Sequence, residues 1–206
     1  TLLLNGFGAH RIEGIGDKHV PWIHNVRNTD MVSAIDDENT MRILRLFNEP
    51  VGQKVLLENG VSKKLLEQIP LLGISGICNM LSSIKMAKYY EFDENDVIFT
   101  IFTDSAGMYL SRVKELEKEM GKYTRENALV DLERYLRGVG IDYLHELTYY
   151  DKKRLHNLKY FTWVEQQGRT SEELNELWHP EFWDKTFDQA KEWDKLIADF
   201  NKQTGL

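Results

Sequence analysis

The run Val97-Ile98-Phe99-Thr100-Ile101-Phe102 constrains this chain more than any other segment, together with the Thr103-Asp104-Ser105-Ala106-Gly107 turn that ends it. Consecutive apolar and β-branched residues suit a buried strand. A helical pattern follows from Tyr109 to about Met120, so the segment reads as strand, turn and helix. In an α/β sheet, polar groups at the carboxyl end of a strand point into the crevice where ligands bind. A hydroxyl placed there can hydrogen-bond a ring nitrogen or a phosphate without bringing a charge. Ser105 is therefore the first candidate for a cofactor contact. The same residues also fit a plain strand-to-helix turn with Asp104 or Ser105 as N-cap.

The pattern around this run repeats the theme. Leu2–Leu4, Arg11–Ile15 and Met31–Ile35 read as further strands. Helices are expected near Glu38–Phe47, Gln53–Gln68 and Ser75–Tyr90. Asp36 and Asp37 are candidate caps for the first of these. Ile77, Cys78, Leu81 and Ile84 recur at helical spacing, as on a helix packed against a sheet. Alternation of this kind predicts an α/β fold, a layered and mostly parallel sheet. From about Tyr123 the signals turn helical, with helices expected over Glu126–Arg137, Asp151–Gln166, Ser171–Leu177 and Glu181–Asn201. Ser171 lacks a full capping box, although Glu172 and Glu173 suit a helix start. Two regions result, 1–120 as an α/β core portion and 121–206 as an all-helical extension.

Composition removes several function classes. Hydrophobic residues make up 42% of the 206, enough for a core and too many for a disordered chain. A net charge of −7 gives no basic patch for nucleic acid. One cysteine permits no internal disulfide framework and suits a reducing, cytoplasmic setting. No apolar run approaches the roughly 18 residues of a membrane span. The chain opens on Leu2-Leu3-Leu4 without an initiator Met, which leads to the expectation that sequence upstream is missing.

Glycines gather in Asn5-Gly6-Phe7-Gly8-Ala9-His10-Arg11-Ile12-Glu13-Gly14-Ile15-Gly16. They let backbone approach a flat ring or phosphate and permit positive φ. The spacing is not a dinucleotide fingerprint, and a plain turn is the reading these glycines favour by themselves. Gly73-Ile74-Ser75-Gly76 stands at a helix start, where free N–H groups suit an anion; Ser75 as a cap is the other reading. His10, His19 and His24 match no zinc spacing, so no metal is expected. Cys78 falls on an apolar helix face and reads as a buried thiol.

Taken in order, His10-Arg11-Ile12-Glu13-Gly14-Ile15-Gly16, Gly73-Ile74-Ser75-Gly76, and Asp104-Ser105 with Tyr109-Leu110-Ser111 resemble one family over about residues 4–115. It is the fold-type-II pyridoxal 5′-phosphate enzymes: cysteine synthase, the cystathionine β-synthase core and the tryptophan-synthase-β-like proteins. The resemblance implies a partial parallel-sheet layered domain of that type with a C-terminal all-helical extension. It also implies that Ser105 hydrogen-bonds the cofactor's pyridine nitrogen, that Gly14 and Gly16 line the cleft through their backbone, and that Ser75 belongs to the helix start facing it. No catalytic residue falls in this chain, because the family's Schiff-base lysine and Gly-rich phosphate loop lie upstream of the matched segment. Ser83-Ile84-Lys85 only imitates the lysine motif.

The family departs from this chain in two places. Gly73-Ile74-Ser75-Gly76-Ile77-Cys78 stands where Gly-Ile-Ser-Ser-Gly-Ala is common, and Asp104-Ser105-Ala106-Gly107-Met108-Tyr109 where Asp-Ser-Gly-Glu-Arg-Tyr is common. The expectation is the C-terminal part of a lyase or transferase that performs β-replacement or β-elimination on an amino acid, acting as a homo-oligomer, such as a dimer, or with a partner chain. The alternative is a non-catalytic subunit or interaction module, favoured by the aromatics of the helical region, which could form a dimer interface or cover a partner.

Overall fold

The computed structural model describes residues 3, 4 and 6–205. The chain folds into two compact units, each stitched from separate stretches: 7–18 with 31–146, and the described parts of 1–6 with 19–30 and 147–206. Residue 120 thus falls inside the larger unit.

The larger unit is built on helices. Asp36 accepts a hydrogen bond from Glu38 N (2.7 Å) and starts α1, Asp37–Asn48, with Asp37 and Glu38 in its first turn. Met41, Ile43, Leu44 and Leu46 on this helix are fully buried and form the centre of the core. The chain breaks before Pro50, which opens α2, Pro50–Glu58. The single helix expected over Gln53–Gln68 is divided. Gly60, at φ +91°, reverses the chain after Asn59, and the Ser62 hydroxyl caps a new helix, α3, Lys63–Gln68. Then come α4, Ile74–Tyr89, and α5, Leu110–Met120. The last is α6, Arg125–Val130, which runs into a π-helical turn over Asp131–Arg137.

The parallel sheet is absent among the described residues. The sheet there has two strands, β1, Met31–Ser33, and β2, Leu144–Glu146, paired antiparallel with Val32 opposite His145. This corrects the α/β layered expectation. Of the four expected strands only Met31–Ile35 forms one, and it is shorter. Arg11–Ile15 is a turn about Gly14, and Leu3–Leu4 form a turn, while Leu2 lies outside the described residues. The run Val97–Phe102 has no regular structure, and Val97 and Phe99 stand 88% and 91% exposed. β-branched and aromatic composition expresses a fit to a pleated, half-buried surface; without a neighbouring strand there is no ladder to join.

The smaller unit is helical. It comprises α7, Tyr149–Asn157, a π-helical turn Tyr160–Val164, α8, Ser171–Glu176, α9, Pro180–Asp188, and α10, Ala190–Thr204. Thr148 with Asp151, and Thr170 with Glu173, form complete capping boxes at α7 and α8. The second corrects the reading at Ser171, because the cap is one residue earlier. Leu174, Leu177 and Trp183 form the core, with Trp22, Val164 and Phe182 against them. The segment 19–30 is strapped to the helices by buried polar groups. Lys159 Nζ donates to the carbonyls of Trp22 (2.8 Å) and His24 (2.7 Å), and Trp163 Nε1 donates to Val20 O (2.8 Å). All five tryptophans belong to this unit, and the one cysteine belongs to the other.

Candidate functional site

The three segments that carry the resemblance meet at the start of α4. Residues 7–18 form a loop closed by Gly8 N donating to Lys18 O (3.0 Å) and Gly16 N donating to Ile12 O (3.2 Å). Ile12 anchors it in the core. The Ser75 hydroxyl, fully buried in the first turn of α4, donates to Glu13 O (2.7 Å) and accepts from Ile15 N (3.3 Å). Gly14 is needed there for two reasons. Its φ of +96° disfavours a side chain, and a Cβ would lie 2.5 Å from Ser75 Oγ. A side chain on Gly16 would run into the His10 ring and Ile12 O.

The third segment closes on the same helix start. Gly73, the N-cap of α4, donates its N–H to Asp104 O (3.0 Å) and leaves no room for a Cβ beside Asp104 Oδ1. Asp104 therefore brings its own carboxylate to the end of the helix that favours negative charge. The anion site expected at Gly73–Gly76 is met from within the chain. Tyr109 donates its hydroxyl to Asp104 Oδ2 (2.5 Å); this bond, and burial after it, push the phenol up to about 12. The other oxygen, Asp104 Oδ1, is shielded from water and has no hydrogen-bond partner among the described residues. Ser105 opens the 3₁₀ turn Ala106–Tyr109, and its side chain makes no capping hydrogen bond. Arg112 of α5 clamps the loop from outside through an ion pair with Glu13.

Of the four residues expected at the site, Gly14 and Ser75 are in direct contact, Gly16 lies in the same loop, and Ser105 follows the residue that holds Gly73. Ser75 is a tie between loop and helix, with its hydroxyl used on both sides, and Gly73 rather than Ser75 holds the cap position. Sequence reasoning misses the Asp104–Tyr109 pair. Its only sequence signal is an acid five positions before a tyrosine within the turn already singled out.

The remaining candidates settle into structural roles. No cluster of His, Cys, Asp and Glu able to hold a metal occurs among the described residues. Burial pushes the Cys78 thiol up to about 11, away from the thiolate that a nucleophile needs. Lys85 is buried, and its Nζ donates to Ala34 O (3.3 Å), Asp142 O (2.7 Å) and Asp142 Oδ2 (3.1 Å), which ties α4 to the residues beside the sheet. In the smaller unit, Arg154, Leu158, Tyr160, Phe161 and Leu174 border an open cavity of about 640 Å³. His156 lies buried nearby in sequence, held down to about 4 by burial and then by Lys159 and Lys153. No single helix among the described residues is long and apolar enough to cross a membrane. No family model, curated protein or solved structure matches the chain.

Proposed function

We propose that this chain supplies one wall of a pyridoxal-phosphate site in an enzyme of amino acid β-replacement or β-elimination. A single observation carries the reading: Glu13–Gly16, Gly73–Gly76 and Asp104–Tyr109, far apart in sequence, are hydrogen-bonded together at one helix start. A shared site requires that convergence. It does not require a parallel sheet within this chain, and none is invoked.

The donor set suits the cofactor. Ser105 has a hydroxyl not spent on capping its own turn, and the Gly14 loop offers glycine backbone. Ser105 would hold the pyridine nitrogen, and Gly14 and Gly16 would face the ring and substrate through their backbone. A neutral hydroxyl at that nitrogen leaves it unprotonated and tempers electron withdrawal. The cofactor, when bound, supplies the electron sink for losing the substituent on the substrate's β-carbon. Ser75 and the Asp104–Tyr109 pair act one step back, fixing the loop and turn that present these groups. The anchoring lysine belongs, in this reading, to another part of the enzyme, because Lys85 is committed to three oxygens.

The test is the absorption spectrum of the protein purified from its natural source, before and after borohydride reduction. A yellow imine band that reduction removes is expected, and Ser105→Ala should shift that band and weaken cofactor retention. A colourless protein that takes up no pyridoxal phosphate would sink the reading. So would a Ser105→Ala variant with an unaltered spectrum and affinity. The exposed run Val97–Phe102 favours a second reading, a non-catalytic module completing a partner chain. A colourless protein that co-purifies with a second polypeptide would favour it.

A further inference from the structure

A small cavity in the smaller unit, of about 220 Å³, brings together two charges of opposite sign that do not pair with each other. Pro180, Trp183, Asp184 and Phe187 of α9 border it. Spacings of three, one and three place these four on one stripe of the helix. Asn25, Arg27 and Asn28, in and before the 3₁₀ turn Val26–Asn28, complete the lining. Three members of the α9 stripe are apolar, and the indole N–H of Trp183 is spent on Leu177 O (2.9 Å). Asp184 is the exception, a carboxylate on that stripe with no ion pair or side-chain hydrogen bond among the described residues. Arg27 is its counterpart. Its guanidinium donates to Trp178 O (3.3 Å) and lies 5.4 Å from the centre of a Trp178 ring, which fixes its position. It too has no carboxylate partner among the described residues. Lys153, 4.3 Å from a Trp178 ring centre, is a second cation here, and burial and then Arg27 hold its ammonium down. A guanidinium in such company favours an anion, and its fork of donors matches a carboxylate. The side chains of Asn25 and Asn28 form no hydrogen bond among the described residues, so both amides are unspent.

We propose that this cavity binds a free α-amino acid with an apolar side chain, its carboxylate on Arg27, its ammonium on Asp184 and its side chain against Trp183 and Phe187. A zwitterion is the ligand that satisfies both unpaired charges at once. A simple carboxylate would leave Asp184 without a partner, and a simple amine would leave Arg27 without one. The volume agrees with this class. At about 30 Å³ per water the cavity takes roughly seven waters, or on the order of ten heavy atoms at the density of a packed organic solid. That is the size of leucine or methionine. The apolar members of the α9 stripe give the side chain a surface, and the two asparagine amides supply neutral hydrogen-bonding groups beside the charged ones. For so small a ligand the affinity is modest, with Kd on the order of 1 mM or below. The inference does not depend on the cofactor reading, since no residue of that reading borders the cavity.

Isothermal titration calorimetry on the full chain tests it, with L-leucine, L-methionine and L-phenylalanine as probes to about 20 mM, well above that Kd. At least one should bind at one site per chain. For leucine, 4-methylpentanoate lacks the ammonium and 3-methylbutylamine lacks the carboxylate, and each should bind more than about tenfold more weakly. Asp184→Asn keeps the shape of an exposed side chain and should weaken amino acid binding by more than about tenfold. Arg27→Gln should do the same. Asp188→Asn, one turn further along α9 and outside the cavity lining, should leave binding intact. Far-UV circular dichroism on each variant separates lost binding from lost fold. No binding by any of the three amino acids would overturn the proposal. Binding indifferent to Asp184→Asn would overturn it too, because the amino acid would then sit elsewhere, the cofactor site included. Equal affinity for 4-methylpentanoate and leucine would make the cavity a plain anion site instead.

Discussion

Lys159 is a buried cation of the smaller unit. The residue is 1% exposed and its ammonium rests on two carbonyls, with no carboxylate among its hydrogen-bond partners in the described residues, so burial holds it down to about 8. The folded state thus releases this proton near pH 8, whereas the unfolded chain keeps it until about 10.5. Between those values the unfolded state binds more protons, and stability rises with pH. The cost is fully present below pH 8 and is relieved as pH approaches 10.5, to an extent of roughly 3 kcal/mol. Tyr109 and Tyr123, whose phenols are raised, belong to the larger unit and lower its stability above pH 10, where they ionise more readily in the unfolded chain. Urea titrations of the smaller unit should therefore show its stability climbing from pH 8 to 10. Lys159→Met should flatten that climb. At pH 7 its net effect should be small, because removing the charge relieves roughly 3 kcal/mol while two buried carbonyls lose a donor worth about 2 kcal/mol. An unchanged climb in the variant would show that another group drives it.

Between elements, the link that decides the candidate site is the Ser75 bridge from α4 to the Gly14 loop. Ser75→Ala should cost about 1–2 kcal/mol, the value of two buried hydrogen bonds to one hydroxyl. Gly14→Ala should cost about 2 kcal/mol through its positive φ and its clash with Ser75 Oγ. Because the clash is with the atom that Ser75→Ala removes, the double variant should cost clearly less than the sum, as thermal melts can measure. Strict additivity would mean the two residues do not touch. These contacts explain what is legible in the sequence. The resemblance groups Gly14, Gly16, Ser75 and Ser105, and of these the structure puts Gly14 against Ser75, Gly16 in the same loop and Ser105 next to Asp104. Caps are readable where the signal is local, as with Asp36 at α1. The break at Gly60 is readable in principle, since a glycine beyond a helix end carries that signal, but the apolar periodicity on either side masks it. The sheet misleads for a deeper reason: Val97–Phe102 states a preference for strand, but membership of a sheet is granted by a neighbour elsewhere.

At the scale of the whole chain, both units are assembled from distant stretches, which is why a cut at residue 120 does not describe them. Their cores differ in extent: the larger gathers α1, α2 and α4 around fully buried Met41, Ile43 and Leu44, and the smaller rests on Leu174, Leu177 and Trp183. The smaller unit should give way first as urea rises, since less apolar surface is sequestered there. The placement of the tryptophans and the cysteine turns this into a measurement that needs no label. Indole emission, arising from one unit alone, reports its solvent exposure, and the reaction of the Cys78 thiol with a chromogenic disulfide reports the opening of the other. The emission shift should precede thiol reactivity, and coincident midpoints would mean the units melt as one. Evolution has in effect left this chain with a private spectroscopic channel for each half, so one cuvette can follow which half a ligand, a partner or a mutation reaches.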